Sequence, residues 1–187
     1  MKSQKVCIVG PDGAGKSSIL SALQKKLNDS ECVYFGYGES RRYNKKIYSL
    51  MKKARSLGRF GEISVRLLVS LDDVIKSYSL NSTNKVVLID RFPFDNVVNC
   101  KIDGRRTYVY HKAICKVLSK PSLVILLSGN AKVIANRKSE ISESRTHDFI
   151  CEMEEYLVEN RMDFLKVNTT SLSLEESVSQ IISSIKS

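Results

Sequence analysis

The sequence Gly10-Pro11-Asp12-Gly13-Ala14-Gly15-Lys16-Ser17 lies between a short apolar run, Val6-Cys7-Ile8-Val9, and a stretch, Ser18 to Leu27, whose apolar residues recur at helical spacing. The junction reads strand, G-x-x-x-x-G-K-S, helix, and few arrangements satisfy all three parts at once. The glycines let successive backbone N–H groups turn toward one point, and the following helix aims its positive end at the same place. An oligophosphate is the ligand such a point accepts. Lys16 is placed to reach the β- and γ-phosphates as a point charge, and the Ser17 hydroxyl to take one position on a Mg²⁺ ion bridging them.

Length and composition set the frame for that motif. The 187 residues suffice for one well-filled core and are short for two, so a single domain over 1–187 is expected. No apolar run approaches the roughly 18 residues that span a bilayer, and Lys5 interrupts an N-terminus too short in apolar length for a signal peptide. A cytoplasmic protein without a membrane partner is the expectation. Cysteines 7, 32, 100, 115 and 151 show no C-x-x-C spacing and fall mostly in apolar segments, which predicts buried thiols rather than disulfides or metal ligands. His111 and His147 stand alone, so zinc has no support.

Thirty Lys and Arg against twenty Asp and Glu give a formal charge of +10. Much of the excess lies in one segment, where Arg41, Arg42, Lys45, Lys46, Lys52, Lys53, Arg55, Arg59 and Arg66 face only Glu62. Such a cluster suits a nucleic acid, an anionic membrane surface or a polyanionic small substrate, and it suits a solvated helix face equally well.

Along the chain, residues 32–37 read as a second strand. Ile47, Leu50, Met51 and Ala54 mark a helix within the basic segment 41–58, with Gly58 and Gly61 expected to break it. A helix from about Ile63 to Tyr78 and a turn at 81–84 follow. Lys85-Val-Val-Leu-Ile-Asp90 reads as a strand buried on both faces with its acid emerging at the carboxyl end, where ligands sit in an open parallel sheet. Asp90 is therefore the candidate acid on the Mg²⁺ side, and Arg91 beside it can pair with phosphate oxygens.

Residues 95–106 read as a loop or irregular element containing Asp103-Gly104. Next come a helix over 107–118, a strand over 123–127, and a helix from Ala131 to Lys138 capped by Asn130. A polar stretch separates it from a further helix over 147–160. A fifth strand, 164–167, precedes a final helix opened by the capping pattern Ser173-x-x-Glu176. Five apolar strands alternating with helices predict a parallel α/β sheet covered on both sides.

Three blocks resemble the thymidylate kinase family of nucleoside monophosphate kinases: the Gly10 to Ser17 loop, Ile89-Asp90-Arg91-Phe92, and Arg137-Lys138-Ser139-Glu140 followed by Arg145. The resemblance implies a P-loop NTPase fold with a five-stranded parallel core and an acceptor-side helical region near 38–80. It also implies a small lid near 137–147 and transfer of a γ-phosphoryl group from ATP, with Mg²⁺, to a small acceptor. On this footing Asp12, Gly13, Ala14, Gly15, Lys16, Ser17 and Ser18 bind the nucleotide, and Ser17 and Asp90 serve the metal. Lys16, Asp90 and Arg91 act in catalysis, with cationic help from Arg137 and Arg145 of the lid. Asp12 matches the acid that touches the acceptor's sugar hydroxyl. A homodimer is implied by the same analogy.

The acceptor side departs from the family. Gly36-Tyr-Gly-Glu-Ser-Arg41 stands where an Arg-Glu-Pro-Gly-Gly block is usual, and Asp73 stands where the family places an arginine that grips the acceptor's phosphate. An aspartate cannot bind phosphate directly, so either Arg41, Arg42, Arg66 or Arg105 replaces that contact, with Arg91 beside them, or the acceptor is not thymidine monophosphate. The leading expectation is a nucleoside monophosphate as acceptor. A sugar or other metabolite on the same scaffold is the alternative. An NTP-binding or nucleic-acid-associated regulator is a third, supported by charge alone, since no stacking aromatic array, recognition helix or basic tail accompanies it.

Overall fold

A computed structural model of the chain describes residues 4–35, 58–138 and 141–186, apart from the side chains of 59, 60 and 62. Five strands make one sheet: β1 (Gln4–Val9), β2 (Ser30–Tyr34), β3 (Val86–Asp90), β4 (Leu123–Ser128) and β5 (Phe164–Asn168). Their order is β2-β3-β1-β4-β5, and every pairing is parallel. The α-helices among the described residues are α1 (Lys16–Lys26), α2 (Gly58–Ser79), α3 (Phe94–Ile102), α4 (Tyr108–Val117), α5 (Ala131–Asn136), α6 (Glu143–Glu159) and α7 (Leu174–Lys186). The expected α/β architecture is the one observed.

Alternation along each strand sends side chains to two separate cores. Cys7, Val9, Val87, Ile89, Val124 and Leu126 pack against Phe94, Val97 and Val98 of α3 and Phe149, Met153 and Leu157 of α6. On the other face Val6, Ile8, Leu88, Ile125 and Leu127 meet Ile19, Leu20 and Leu23 of α1, Ile134 of α5, and Val178, Ile181 and Ile185 of α7. Strand order changes direction at β1, so the loop after Val9 leaves the sheet at the point where parallel sheets open a crevice.

Several boundaries differ from the sequence reading. Residues 94–102 form α3 rather than an irregular loop: Phe94, Val97, Val98 and Ile102 share one helical face, and the turn signal Asp103-Gly104 acts only after the helix has ended. The helix expected from about Ile63 begins at Gly58, so Gly61 lies buried inside it, while the helix within 41–58 that these glycines are expected to break lies outside the described residues. Packing outweighs the ~1 kcal/mol propensity cost of a helical glycine. The helix expected over 147–160 begins at Glu143, where the Ser142 side chain accepts from the Arg145 N–H.

Other details follow the expectation. Asn130 caps α5 through Val133, and Ser173 and Glu176 make both bonds of a capping box on α7. Cys7, Cys100 and Cys115 are buried thiols as expected, but Cys32 and Cys151 are exposed and depart from that expectation. The helix read within 41–58 lies outside the described residues except for its last position, as do residues 36 and 37 of the second strand. No described helix is long and apolar enough to cross a membrane. One face of α2 leaves Ile63, Leu67, Leu68, Leu71, Ile75 and Tyr78 more than half exposed.

Candidate active site

The loop between β1 and α1 is built on backbone conformations that only glycine adopts without strain. Gly13 has φ +88°, and a Cβ there would lie 2.5 Å from the Ile134 carbonyl oxygen. Gly15 has φ +89° and is the N-cap of α1. Ala14 between them turns its methyl into the core and is fully buried. Among the described residues no side chain caps α1, and no acid stands in its first turn, so the N–H groups at its start are presented to the cleft with the positive end of the helix behind them.

Lys16, the first residue of α1, folds back over the loop. Its Nζ donates to the carbonyls of Gly10 at 2.7 Å and Pro11 at 2.9 Å, and to Asp12 Oδ1 at 3.3 Å. Asp12 Oδ1 also accepts from Arg91 Nη2 at 2.8 Å. Arg91 follows β3 in the left-handed region, φ +61°, which turns the chain away from the sheet edge directly after Asp90. Register sets Asp90 beside Ile8 of β1 and Tyr34 of β2, so the acid and the loop emerge at the same edge.

The charges are tuned by burial and by one another. Burial raises the Asp90 carboxyl above its ordinary range, and Arg91 and Lys16 only partly offset that. Burial also acts to raise Asp12, but Lys16, Arg91 and Lys138 outweigh it and hold that carboxyl low. Lys16 is lowered by its own desolvation. Asp95, in the first turn of α3, is the extreme case: burial pushes its carboxyl up to about 7 against the pull of Lys16 and Arg91.

Two cavities open on either side of the Asp12–Arg91 pair. The larger, about 890 Å³, is lined by Asp12, Gly13 and Gly15 to Ser18, by Asp90 and Arg91, by Arg137 and Lys138 after α5, and by Thr169, Leu172 and Leu174 after β5. The smaller, about 160 Å³, is bounded by Gly10 to Asp12, Arg91, Asp95, Asn99, Ile141, Arg145 and Phe149. Arg137 belongs to the first, where its Nη2 donates to the Thr169 carbonyl at 2.9 Å. Arg145 belongs to the second and is held by Asp103 and, at 3.1 Å, by Asn99 Oδ1.

The structure thus brings together Asp12, Gly13, Gly15, Lys16, Ser17, Ser18, Asp90, Arg91 and Arg137 at one cleft, with Arg145 behind it. It does not bring Arg66 or Arg105 to either cavity. Arg66 lies on α2, where its carbonyl accepts from Tyr110 Oη at 3.0 Å. Arg105 pairs with Asp103 at 2.7 Å and is largely exposed. Arg41 and Arg42 fall outside the described residues. Asp73 is buried, 2 % exposed. Sequence reasoning missed Thr169 and Leu172, which the carboxyl-end rule for parallel strands points to after β5. It missed Asp95 and Asn99 too, because their segment reads as a loop.

Mg²⁺ and a nucleotide fit this donor set. Among the described residues no cluster of three or more His, Cys, Asp or Glu forms a metal cage. Magnesium held mostly by phosphate needs only one or two protein oxygens, and Ser17 and Asp90 line the same cavity.

Comparisons with known proteins bear on the family and the fold. Residues 8–181 match the family described as thymidylate kinase. Among curated proteins no relative matches. Solved structures of similar fold include thymidylate kinase from Candida albicans, 18% identical with TM-score 0.71 over 99% of this chain and 92% of that one. Deoxyadenosine kinase from M. mycoides with bound dATP is 21% identical, with TM-score 0.66 over the whole of both chains. The same enzyme with the products dCMP and dCDP is 18% identical, with TM-score 0.63 over 98% of this chain and 99% of that one. With the family's kinase fold matched from one end of the sheet to the other, this chain belongs to the thymidylate kinase family.

Proposed function

We propose that the protein transfers the γ-phosphoryl group of ATP, with Mg²⁺, to a nucleoside monophosphate. The observation that carries this reading is the convergence of Lys16, Asp12, Asp90 and Arg91 on a cleft floored by uncapped helix N–H groups. Phosphoryl transfer asks for positioned positive charge and little covalent work from the protein. Backbone N–H groups from Gly13 to Ser18 receive the phosphates. Lys16 exchanges the carbonyls of Gly10 and Pro11 for phosphate oxygens. Ser17 and Asp90 would hold magnesium, which would neutralise charge on the phosphate chain. Arg137 reaches the nucleotide cavity, and Arg145 approaches from the acceptor side.

Asp12 lies on the wall between the two cavities, the position an acceptor's sugar hydroxyl needs if donor and acceptor meet in line. The buried Asp73 favours a second reading, a sugar or other metabolite as acceptor, because it leaves the phosphate-gripping arginine unassigned. Coupled ADP release across nucleoside monophosphates, nucleosides and sugars separates the two. Turnover confined to sugars overturns the first. The homodimer of the sequence reading would bury the apolar face of α2, and sedimentation of a Leu67→Arg variant, expected to be monomeric, tests it.

A further inference from the structure

The smaller cavity holds a carboxyl that the phosphoryl-transfer machinery does not use. Asp95 is 8 % exposed, lines this chamber, and its Oδ1 has no hydrogen-bond partner among the described residues. Leaving a buried acceptor unpaired is costly, and native structures rarely keep one without a ligand or a chemical task for it. The other polar walls are already engaged. Arg145 is taken by Asp103 and Asn99. The Asn99 amide donates to the Asp95 carbonyl at 2.7 Å, and Arg91 donates to Asp12. Ile141 and Phe149 supply apolar surface for a flat ring.

We propose that this chamber takes the base of the acceptor and that Asp95 reads it, selecting a base whose inner edge carries an amino group over one that carries a carbonyl there. The inference rests on the proposed nucleotide acceptor. An ionised carboxylate only accepts hydrogen bonds, so its partner must donate. An exocyclic amino group of cytosine or adenine does so. A carbonyl at the same place sets two acceptors against each other and leaves both unpaired. Sites built to bond a substrate N–H reject analogues lacking it far more strongly than apolar pockets reject a missing methylene.

The surroundings leave Asp95 available in that form. Lys16 from α1 and Arg91 from the end of β3 favour the carboxylate, while Asp90, Asp12 and burial oppose it. Arg145 of α6 shares the chamber, and Cys7 of β1 and Cys115 of α4 are thiols held neutral by burial. With its pKa near 7, Asp95 is mostly ionised at pH 8.

The test compares dCMP with dUMP at pH 8, two acceptors of one ring size that differ in a single amino or carbonyl substituent. Both kcat/KM and calorimetric Kd are measured for the wild type and for Asp95→Asn, with circular dichroism to verify the variant's fold. The wild type is expected to favour dCMP at least tenfold. Asp95→Asn, which offers a donor as well as an acceptor, is expected to bring the ratio within threefold of one. Equal use of the two by the wild type, or a ratio unchanged by Asp95→Asn, overturns the proposal. Preferential binding of dCMP without phosphorylation supports Asp95 as the reader and overturns only the acceptor assignment made above.

Discussion

Arg91 donates to Asp12 across 2.8 Å, and this contact ties the phosphate-binding loop after β1 to the end of β3. It also forms the partition between the nucleotide cleft and the smaller chamber, since both residues line both cavities. Arg91 achieves this from a left-handed backbone, which costs a non-glycine residue about 1–2 kcal/mol. The ion pair is partly exposed, so its own contribution is about 1 kcal/mol at most. Arg91→Gly removes the strain and the pair together. Thermal melts should place its stability within about 1 kcal/mol of the wild type, while phosphoryl transfer falls at least ~100-fold through loss of a positioned cation. A large drop in stability would assign Arg91 to the fold rather than to the chemistry.

Lys16 bridges Gly10, Pro11 and Asp12. Lys16→Ala should lower kcat/KM for ATP by at least ~1,000-fold, because the charge aimed at the phosphates disappears. The loop also loses charged hydrogen bonds worth about 1–3 kcal/mol, which urea denaturation would register. Far-UV circular dichroism should stay unchanged, since the strand and helix on either side are held by their own packing. Retained phosphoryl transfer in this variant contradicts the assignment of the loop.

Gly13 and Gly15 have nearly the same φ but different surroundings. A Cβ on Gly13 meets the Ile134 carbonyl at 2.5 Å, whereas one on Gly15 meets nothing within 4 Å among the described residues. Gly15→Ala should therefore cost only the ~1–2 kcal/mol of left-handed strain. Gly13→Ala adds a backbone collision that forces the loop off α5, and should destabilise by more. Both should weaken nucleotide binding, measured by calorimetry, with Gly13→Ala the worse. The reverse order would mean that the loop relaxes away from α5 freely.

Much of this was readable before any coordinates. The strand ending in Asp90 is apolar on both faces, and the loop motif carries its own flanking strand and helix, so local pattern alone placed Lys16, Ser17 and Asp90 at one sheet edge. What pattern could not give was contact between distant segments. Arg145 is held by Asp103, 42 positions earlier, and by Asn99, and no local rule links them. Asp95 escaped because Asp103-Gly104 made its segment read as a loop, although Phe94, Val97 and Val98 already spelled a helical face. Arg66 on α2 and Arg105 in the turn before α4 are suggested by charge alone, and charge does not say which way a helix or a turn presents its side chain.

Asp95 makes the stability of the fold depend on pH. Its folded pKa, about 7, is raised above the ordinary 3.8 by burial, so the native state binds this proton more tightly than the unfolded chain does. The stabilisation is therefore complete below about pH 4 and is lost as pH rises through about 7. At 1.36 kcal/mol for each tenfold change in proton binding, the full effect of this one group is about 4 kcal/mol. Urea denaturation should show the wild type losing stability between pH 5.5 and 8.5 relative to Asp95→Asn, whose amide does not titrate. At pH 8.5 the variant should be the more stable protein, because no buried charge remains to be desolvated. Two proteins with parallel pH profiles would show that Asp95 is solvated, and with it that the small chamber is wet enough to hold the ionised carboxyl at little cost.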